Sequence, residues 1–412
     1  MSQVYDVVVI GAGAAGIGAG RRLAQTKVNF LLVEARDRVG GRAHTVVHDG
    51  AAIDLGCNWL HSGDINVMTT IAENLGFEID RSHPPWEKPA QRRGMSLDEQ
   101  SAFGRAFAAF EARIQQRAEA EPPVAASAYL EPGCRWNPMI NAVFSYISGA
   151  HLDRIDARDY ARYEDTNVNW RVARGYGALF SACAAGLPLA LQTKVTSIGH
   201  SAKGARIETT QGVIDAHAAI VALPTSVLET IRLAPELPAK HEAAAALPLG
   251  NAEKLYFALE GAEEFPADSS VFPRTDSADM GSYNMRPRGQ PIMECYFGGP
   301  LARGLAEAGP DAMAAYAKDE IAGVMGAAFP ARLTALHASA WAVDEFALGS
   351  YSYAKPACAE LRQVLAAPAP PLFFAGEACS KHRYSTAHGA FETGWAAAED
   401  AIAFVQRSMP TG

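Results

Sequence analysis

Three glycines in the spacing GxGxxG, Gly11, Gly13 and Gly16, stand between a Val/Ile run at 7–10 and a helix-forming stretch that opens with Ala14 and Ala15. The chemistry such a pattern supports is the binding of a dinucleotide diphosphate. The first glycine permits a tight turn and the second lets the backbone approach a pyrophosphate; the third lets helix and strand pack closely. The new helix turns free N–H groups and the positive end of its dipole toward the phosphates. Glu34 closes the second strand, "FLLVE", near the spacing at which a carboxylate accepts hydrogen bonds from ribose hydroxyls, with Ala35 and Arg36 beside it. Strand before, helix after and an acid at the next strand's end make the fingerprint strong. FAD and NAD both satisfy it.

A second stretch, "GNAEKLYFAL" at 250–259, carries chemistry of another kind. Its alternation predicts a strand with Leu255, Phe257 and Leu259 on one face, and Lys254, Tyr256 and Ala258 on the other. A buried, unpaired ammonium is unfavourable, so Lys254 needs a reason. An edge strand or a snorkelling side chain would be one. A cation held deliberately near reacting groups would be another.

The elements that must position these residues span 412 residues, too many for one simple core, so two domains are expected. The net charge of −9 argues against a nucleic-acid partner and only mildly favours cationic ligands. No run approaches the ~18 apolar residues of a membrane span. The N-terminus runs almost directly into a strand, leaving no room for a signal peptide, and "QRSMPTG" carries no lipidation motif. Six scattered cysteines form no CxxC pair and no zinc spacing, so a reducing cytoplasm is the expected location and no metal is expected.

Two further pieces extend the first fingerprint. "RVGGRAHT" places Gly40, Gly41 and Arg42 just past the second strand. Near the other end, "PPLFFAGEACSKHRYSTAHGAFETGWAAAEDAIAF" reads as a strand at 372–375, then Gly376-Glu377, a loop, and a helix from near Gly389. Together these motifs resemble the flavin-containing amine oxidase family of monoamine oxidases, polyamine oxidases and histone-demethylase-type enzymes, over almost the whole chain. The resemblance implies FAD, held without a covalent bond. It places Gly40–Arg42 and Gly376-Glu377 at the diphosphate and ribityl chain, and Val195 at the adenine. It puts the start of the last helix, Thr386-Ala387, at the flavin pyrimidine ring, where a helix N-terminus stabilises negative charge.

The same resemblance implies roles for four more places. Lys254 fits the family's G-x-x-x-K pattern, in which the lysine holds a water beside flavin N5 and a cation would assist oxygen reduction. "WAVDEFALGSYSY" (341–353) begins at Trp341 and has Ser350 where monoamine oxidases carry a flavin-bound cysteine; Tyr351 then matches an aromatic wall that faces the amine. Thr386 replaces the second wall's tyrosine, opening room for a secondary or bulkier amine. In "DLGCNWLHSGDINVM", Gly56, Cys57, Asn58 and Trp59 match a loop beside the flavin ring, and His61 a substrate-tunnel histidine. A packed loop histidine is an equal alternative for His61, an ordinary strand tyrosine remains open for Tyr351, and His388 reads as structural.

The expected fold is α/β (α+β). A discontinuous Rossmann-like FAD-binding domain takes 1–80, 174–248 and 350–412, and a substrate domain of mixed antiparallel sheet and helices takes 81–173 and 249–349. Within the latter, Ser96 and Glu99 predict a capping box before a helix whose stripe Phe103, Phe107, Phe110 and Ile114 reads as core. The Pro-rich stretches 82–94 and 366–371 read as turns. The expected activity is oxidation of a primary or secondary amine, polyamine-like by preference, to an imine and aldehyde with O2 reduced to H2O2. Amino-acid oxidases, desaturases, protoporphyrinogen-type oxidases and a non-catalytic flavin-bound scaffold share the opening motif and stay as alternatives. A histone-demethylase role is remote, since the long helical insertion used for docking is missing. The partners expected are a small amine and O2, and the chain could be monomer or homodimer.

Overall fold

The structure, a computed structural model, describes residues 4–88 and 94–408. Of the Pro-rich stretch 82–94, residues 89–93 therefore lie outside the described residues, as does most of the C-terminal "QRSMPTG".

The Val/Ile run forms the strand Val4–Ile10, buried from Val7 onward, as a strand covered on both faces must be. It pairs in parallel with Phe30–Val33 on one side and Gly212–Val221 on the other. Leu372–Phe374 adds in parallel beyond Gly212–Val221, one residue shorter than the 372–375 pattern. With the antiparallel strands Gly204–Thr209 and Val195–Ser201 and two more short strands, Arg232–Ala234 and Leu189–Ala190, this makes an eight-stranded sheet. Two helices cover one face. Ala14–Leu23 supplies Ala15, Ala19 and Leu23, and Ala387–Ser408 supplies Ala390, Ala398 and Ala401, all in one apolar cluster with Val7, Val9 and Phe373. Small residues on both helices let the first and last helices of the chain lie side by side. The last helix begins at Ala387, two residues before the glycine that marked its expected start.

A second sheet is wholly antiparallel, in the order Ser269–Val271, Ser282–Met285, Ile292–Gly298, Ala252–Leu259, Leu333–Ala338. The strand carrying Lys254 has a neighbour on each side, so the edge-strand explanation fails. Leu255, Phe257 and Leu259 do face one core, packing with Met293, Phe297 and, from the helix Pro310–Met325, Met313, Ala317 and Ile321. Tyr256 lies on the opposite face with Ile53, Leu55 and Ile292.

The helix Leu97–Arg117 carries the expected capping box at Ser96 and Glu99. Phe103, Phe110 and Ile114 are buried and Phe107 partly so, against Trp136 and Phe144. Tyr351 does not take the alternative of an ordinary strand tyrosine. It is not in a strand: only Ser352 bridges to Leu249, with the Gly250 N–H donating to the Tyr351 carbonyl at 2.8 Å. The pairing stops there because positive-φ backbone at Leu348 and Gly349 turns the chain just before it.

Candidate active site

The glycine turns show which glycines the protein needs for itself. A Cβ on Gly16 would stand 1.8 Å from the Gly11 carbonyl oxygen, a contact fixed by backbone on both sides. At Gly13 the nearest atom to an added Cβ is the Gly41 Cα, at 3.9 Å. Internal packing therefore explains Gly16 and leaves Gly13 unexplained. An open cradle there, above the start of a helix that no side chain caps, fits a diphosphate. Gly40 closes on the same turn, its N–H donating to Ala12 O at 2.8 Å, and Ala14 and Ala15 are the first residues of the helix. Glu34 is buried; one carboxylate oxygen accepts from Ala12 N at 2.8 Å and the other from Arg36 N at 2.9 Å. Ala35 sits between them, half-buried. Arg36 turns its side chain away, to a two-pronged contact with Asp344 at 2.9 and 2.6 Å. Val195 is buried at the start of its strand. These residues suit a dinucleotide.

The next group is bound up in internal contacts. Arg42 Nη1 donates to Ser350 O at 2.5 Å and to Glu377 at 3.0 Å. Glu377 also accepts from Ser352 N and Oγ and from Ser385 N at 3.1, 2.6 and 2.9 Å. Burial raises its carboxyl, but Arg42, Ser352 and Arg362 outweigh that and hold it below the ordinary glutamate range. Glu377 thus ties the Gly376 turn to the Tyr351 segment. Gly56 is wedged between Arg42 and Trp341, whose indole N–H donates to Leu55 O at 2.8 Å. Cys57 follows with its thiol pushed up to about 11 by burial, which keeps it un-ionised, and Asn58 lines a cavity behind the loop. Trp59 stacks under the Arg171 guanidinium at 4.9 Å. Ser350, at the family's cysteine position, accepts from Ala252 N and donates to Ala252 O, both at 2.8 Å, so its hydroxyl is occupied within the sheet.

Lys254 is buried, and it is paired. Its Nζ lies 3.2 Å from Glu294 Oε1 and 3.1 Å from the Asp54 carbonyl oxygen. The register sets Lys254 opposite Tyr296 and Tyr256 opposite Glu294, so four side chains share one face of the antiparallel sheet. The Tyr256 hydroxyl is within donating distance of Glu294 (2.8 Å) and of Asp54 O (2.9 Å), and Nζ stands 5.9 Å from the Tyr296 ring centroid. The Tyr296 hydroxyl meets the Tyr351 hydroxyl at 2.8 Å, and the Tyr351 hydroxyl donates to Tyr146 O. Burial drives both phenols up, keeping them neutral. Lys254 and Tyr351 are thus brought together through Tyr296. The sequence reading missed Glu294 and Tyr296, and set Tyr256 beside Lys254 without giving it a role. Their signal was the shared parity of "EKLYFAL" and "PIMECYF", which shows only once the two strands are set in register.

Thr386 spends its hydroxyl on the last helix, accepting from Gly389 N at 3.0 Å and donating to Arg383 O at 2.6 Å. It is an N-cap in all but name. His61 Nδ1 contacts Asn169 Oδ1 at 2.6 Å; because that oxygen only accepts, Nδ1 carries the proton and Nε2 keeps a lone pair. Burial lowers the His61 imidazole below its ordinary value, more than Asn169 and Asp165 raise it. His388 Nδ1 accepts from Asn66 Nδ2 at 3.2 Å, and burial pushes its imidazole down to about 3, the structural setting expected of it. Asn66 also donates to His61 O at 2.8 Å, so the two histidines share one support. Among the described residues, no group of three or more His, Cys, Asp or Glu is placed to hold a metal, and no helix is long and apolar enough to cross a membrane.

A mixed sheet with an open glycine cradle, joined to an antiparallel sheet that presents a paired lysine among tyrosines, defines a protein fitted to hold a dinucleotide. The model of the family described as flavin containing amine oxidoreductase matches residues 14–402, and the chain belongs to that family. It is an amine-oxidising enzyme with FAD as cofactor. Among curated relatives, polyamine oxidase 2 of Arabidopsis thaliana is 28% identical over 443 residues, covering 96% of this chain and 87% of that protein. Cyclohexylamine oxidase from Brevibacterium oxydans IH-35A shares the fold with a TM-score of 0.81 at 18% identity, covering 98% of this chain and 99% of that one. Wild-type putrescine oxidase bound to putrescine does so with a TM-score of 0.77 at 17% identity, over 98% and 100% of the two chains.

Proposed function

We propose that this enzyme oxidises a polyamine or another N-substituted amine and returns the electrons to O2. The observation that carries the reading is the buried Lys254, paired with Glu294 and joined through Tyr296 to Tyr351. FAD, when bound, supplies the acceptor for the hydride equivalent leaving the carbon α to a deprotonated amine and delivers two electrons to O2, which leaves as H2O2. The imine product hydrolyses to an aldehyde and the departing amine.

The chain's own residues bind, orient and select. Gly11–Gly16, Gly40–Arg42 and Glu34 hold the dinucleotide, with Ser350 leaving it without a covalent bond. Tyr351 and Tyr296 offer ring faces that pack the substrate carbons and attract residual cation. Thr386, smaller than a tyrosine and turned to its helix, leaves width for a substituent on nitrogen. His61 offers its Nε2 lone pair to a substrate ammonium. The Lys254 ammonium stabilises negative charge building on reducing O2. We assign cofactor binding to 1–80, 174–248 and 350–412, and the substrate side to 81–173 and 249–349.

The test is anaerobic. The purified flavoprotein is mixed with spermine, spermidine, N-acetylated polyamines, putrescine, arylalkylamines and amino acids while flavin absorbance is followed. Rapid bleaching by the polyamine or N-substituted class, reversed with H2O2 release on admitting air, is expected. Bleaching by arylalkylamines or amino acids alone would overturn the substrate class, and bleaching by none would favour a flavin-loaded scaffold.

A further inference from the structure

Lys254 is buried in that site, and the role given to it needs its charge. Its side chain is 8% exposed, and the Glu294 side chain beside it 13% exposed. Glu294 also lines a cavity with Asp54, Asn58, Tyr256, Arg288 and Gln290. One carboxylate oxygen therefore has two neighbours at once, the ammonium at 3.2 Å and the Tyr256 hydroxyl at 2.8 Å. The Asp54 carbonyl accepts from the same two groups and fixes the other side of the ammonium.

We propose that Glu294 is a positioning residue for the oxidative half of the reaction: it holds the Lys254 ammonium in place and passes it protons from the cavity. The inference rests on the role given to Lys254 above. When the Lys254 amine has given up a proton to the oxygen being reduced, the Glu294 carboxylate takes up one proton from solvent through the cavity and passes it across the 3.2 Å contact to the amine, returning to carboxylate. The proton drawn from solvent replaces the one that leaves with H2O2, so the ammonium–carboxylate pair is restored and Glu294 is neither oxidised nor reduced. Tyr256 orients the carboxylate by its hydrogen bond and does not ionise, since burial, with Glu294 next, pushes its phenol well up. The other titratable groups about Lys254 are Tyr296 on the paired strand, Asp54 at the end of the strand Ala51–Asp54 and Cys57 on the loop after it, with Arg288 acting on Asp54. Just past the strand on its other side comes the neutral Ser339, and within that strand His337 stands opposite Tyr256. Of these, Glu294 alone touches both the ammonium and the cavity as a carboxylate.

The experiment uses the FAD-loaded enzyme reduced by light, so that no amine is needed. Reoxidation by O2 is timed for the wild type, E294Q, K254M and the double variant. E294Q is expected to reoxidise about tenfold more slowly than wild type, with no added loss in the K254M background. In the oxidised enzyme at rest, acetic anhydride is expected to acetylate Lys254 about tenfold more readily in E294Q, because an ammonium without its counter-ion gives up a proton more easily. Y256F, which keeps the ring, should shift both readouts the same way by less. An E294Q enzyme that reoxidises and labels like wild type overturns the proposal, as does a loss that persists in K254M. Slow reoxidation in E294Q together with bleaching by no amine would uphold it while sinking the substrate reading.

Discussion

The glycine turns of the mixed sheet and the lysine face of the antiparallel sheet reach function by opposite means. At the turns, backbone does the work: Gly16 closes on Gly11, Gly40 on Ala12, and the space at Gly13 stays open. The partners there lie within about 30 residues of one another. On the lysine face, side chains do the work, and they come from strands about 40 residues apart whose register decides who meets whom. A cradle of backbone is specified by the absence of side chains. A polar cluster inside a sheet is specified by pairing, because an ammonium so deeply buried needs its carboxylate.

The comparison can be broken first at its glycines. Gly16→Ala forces a Cβ against fixed backbone and should cost about 3 kcal/mol or more, with loss of bound flavin. Gly13→Ala should leave stability within about 1 kcal/mol, since nothing in the protein occupies the space, and still release the flavin. Urea unfolding of the flavin-free proteins separates the two; equal destabilisation would end the division between packing glycine and ligand glycine.

The lysine face is tested next. Lys254→Met should slow reoxidation of the reduced flavin roughly a hundredfold while slowing its reduction by amine much less. Stopped-flow measurement of both halves decides it, and equal loss in both would remove the assigned role.

Acid probes the junction between the regions, where Glu377 joins Arg42 to the Tyr351 segment. The carboxyl is lowered in the folded state, so it contributes stability above the ordinary value of 4.5 and loses that contribution as pH falls through the folded value. Thermal melts from about pH 6 to pH 3 should therefore fall more steeply for wild type than for Glu377→Gln. Parallel curves would show that the carboxylate is not held as described. The smallest effect is expected far from both regions: Ser96→Ala removes the capping box of Leu97–Arg117 and should cost about 1 kcal/mol with flavin binding unchanged.

Much of the fold was legible because its cues are local. The Val/Ile run, GxGxxG and Glu34 lie in one β-α-β unit; the apolar alternation around Lys254 and the capping box at Ser96 are each complete within a few residues. Tyr351 read, through the resemblance, as an aromatic wall facing the amine; its place in a turn outside a strand and its link to Lys254 were illegible, since they depend on contacts with Leu249, Gly250 and Tyr296. Thr386 read as a space left by a missing ring; its hydroxyl's capping of Gly389 was equally local but was not sought.

By itself the sequence determined a dinucleotide cradle, a strand with one cation among apolar residues, and a membership that its motifs announce together, because periodicity and backbone sterics act over short stretches. Only the tertiary structure decided that Lys254 is paired with Glu294, that Tyr296 links it to Tyr351, and that Arg42 and Glu377 bind each other. Those pairs form between distant segments, and the cost of leaving a buried charge without its counter-ion selects the register that brings them together.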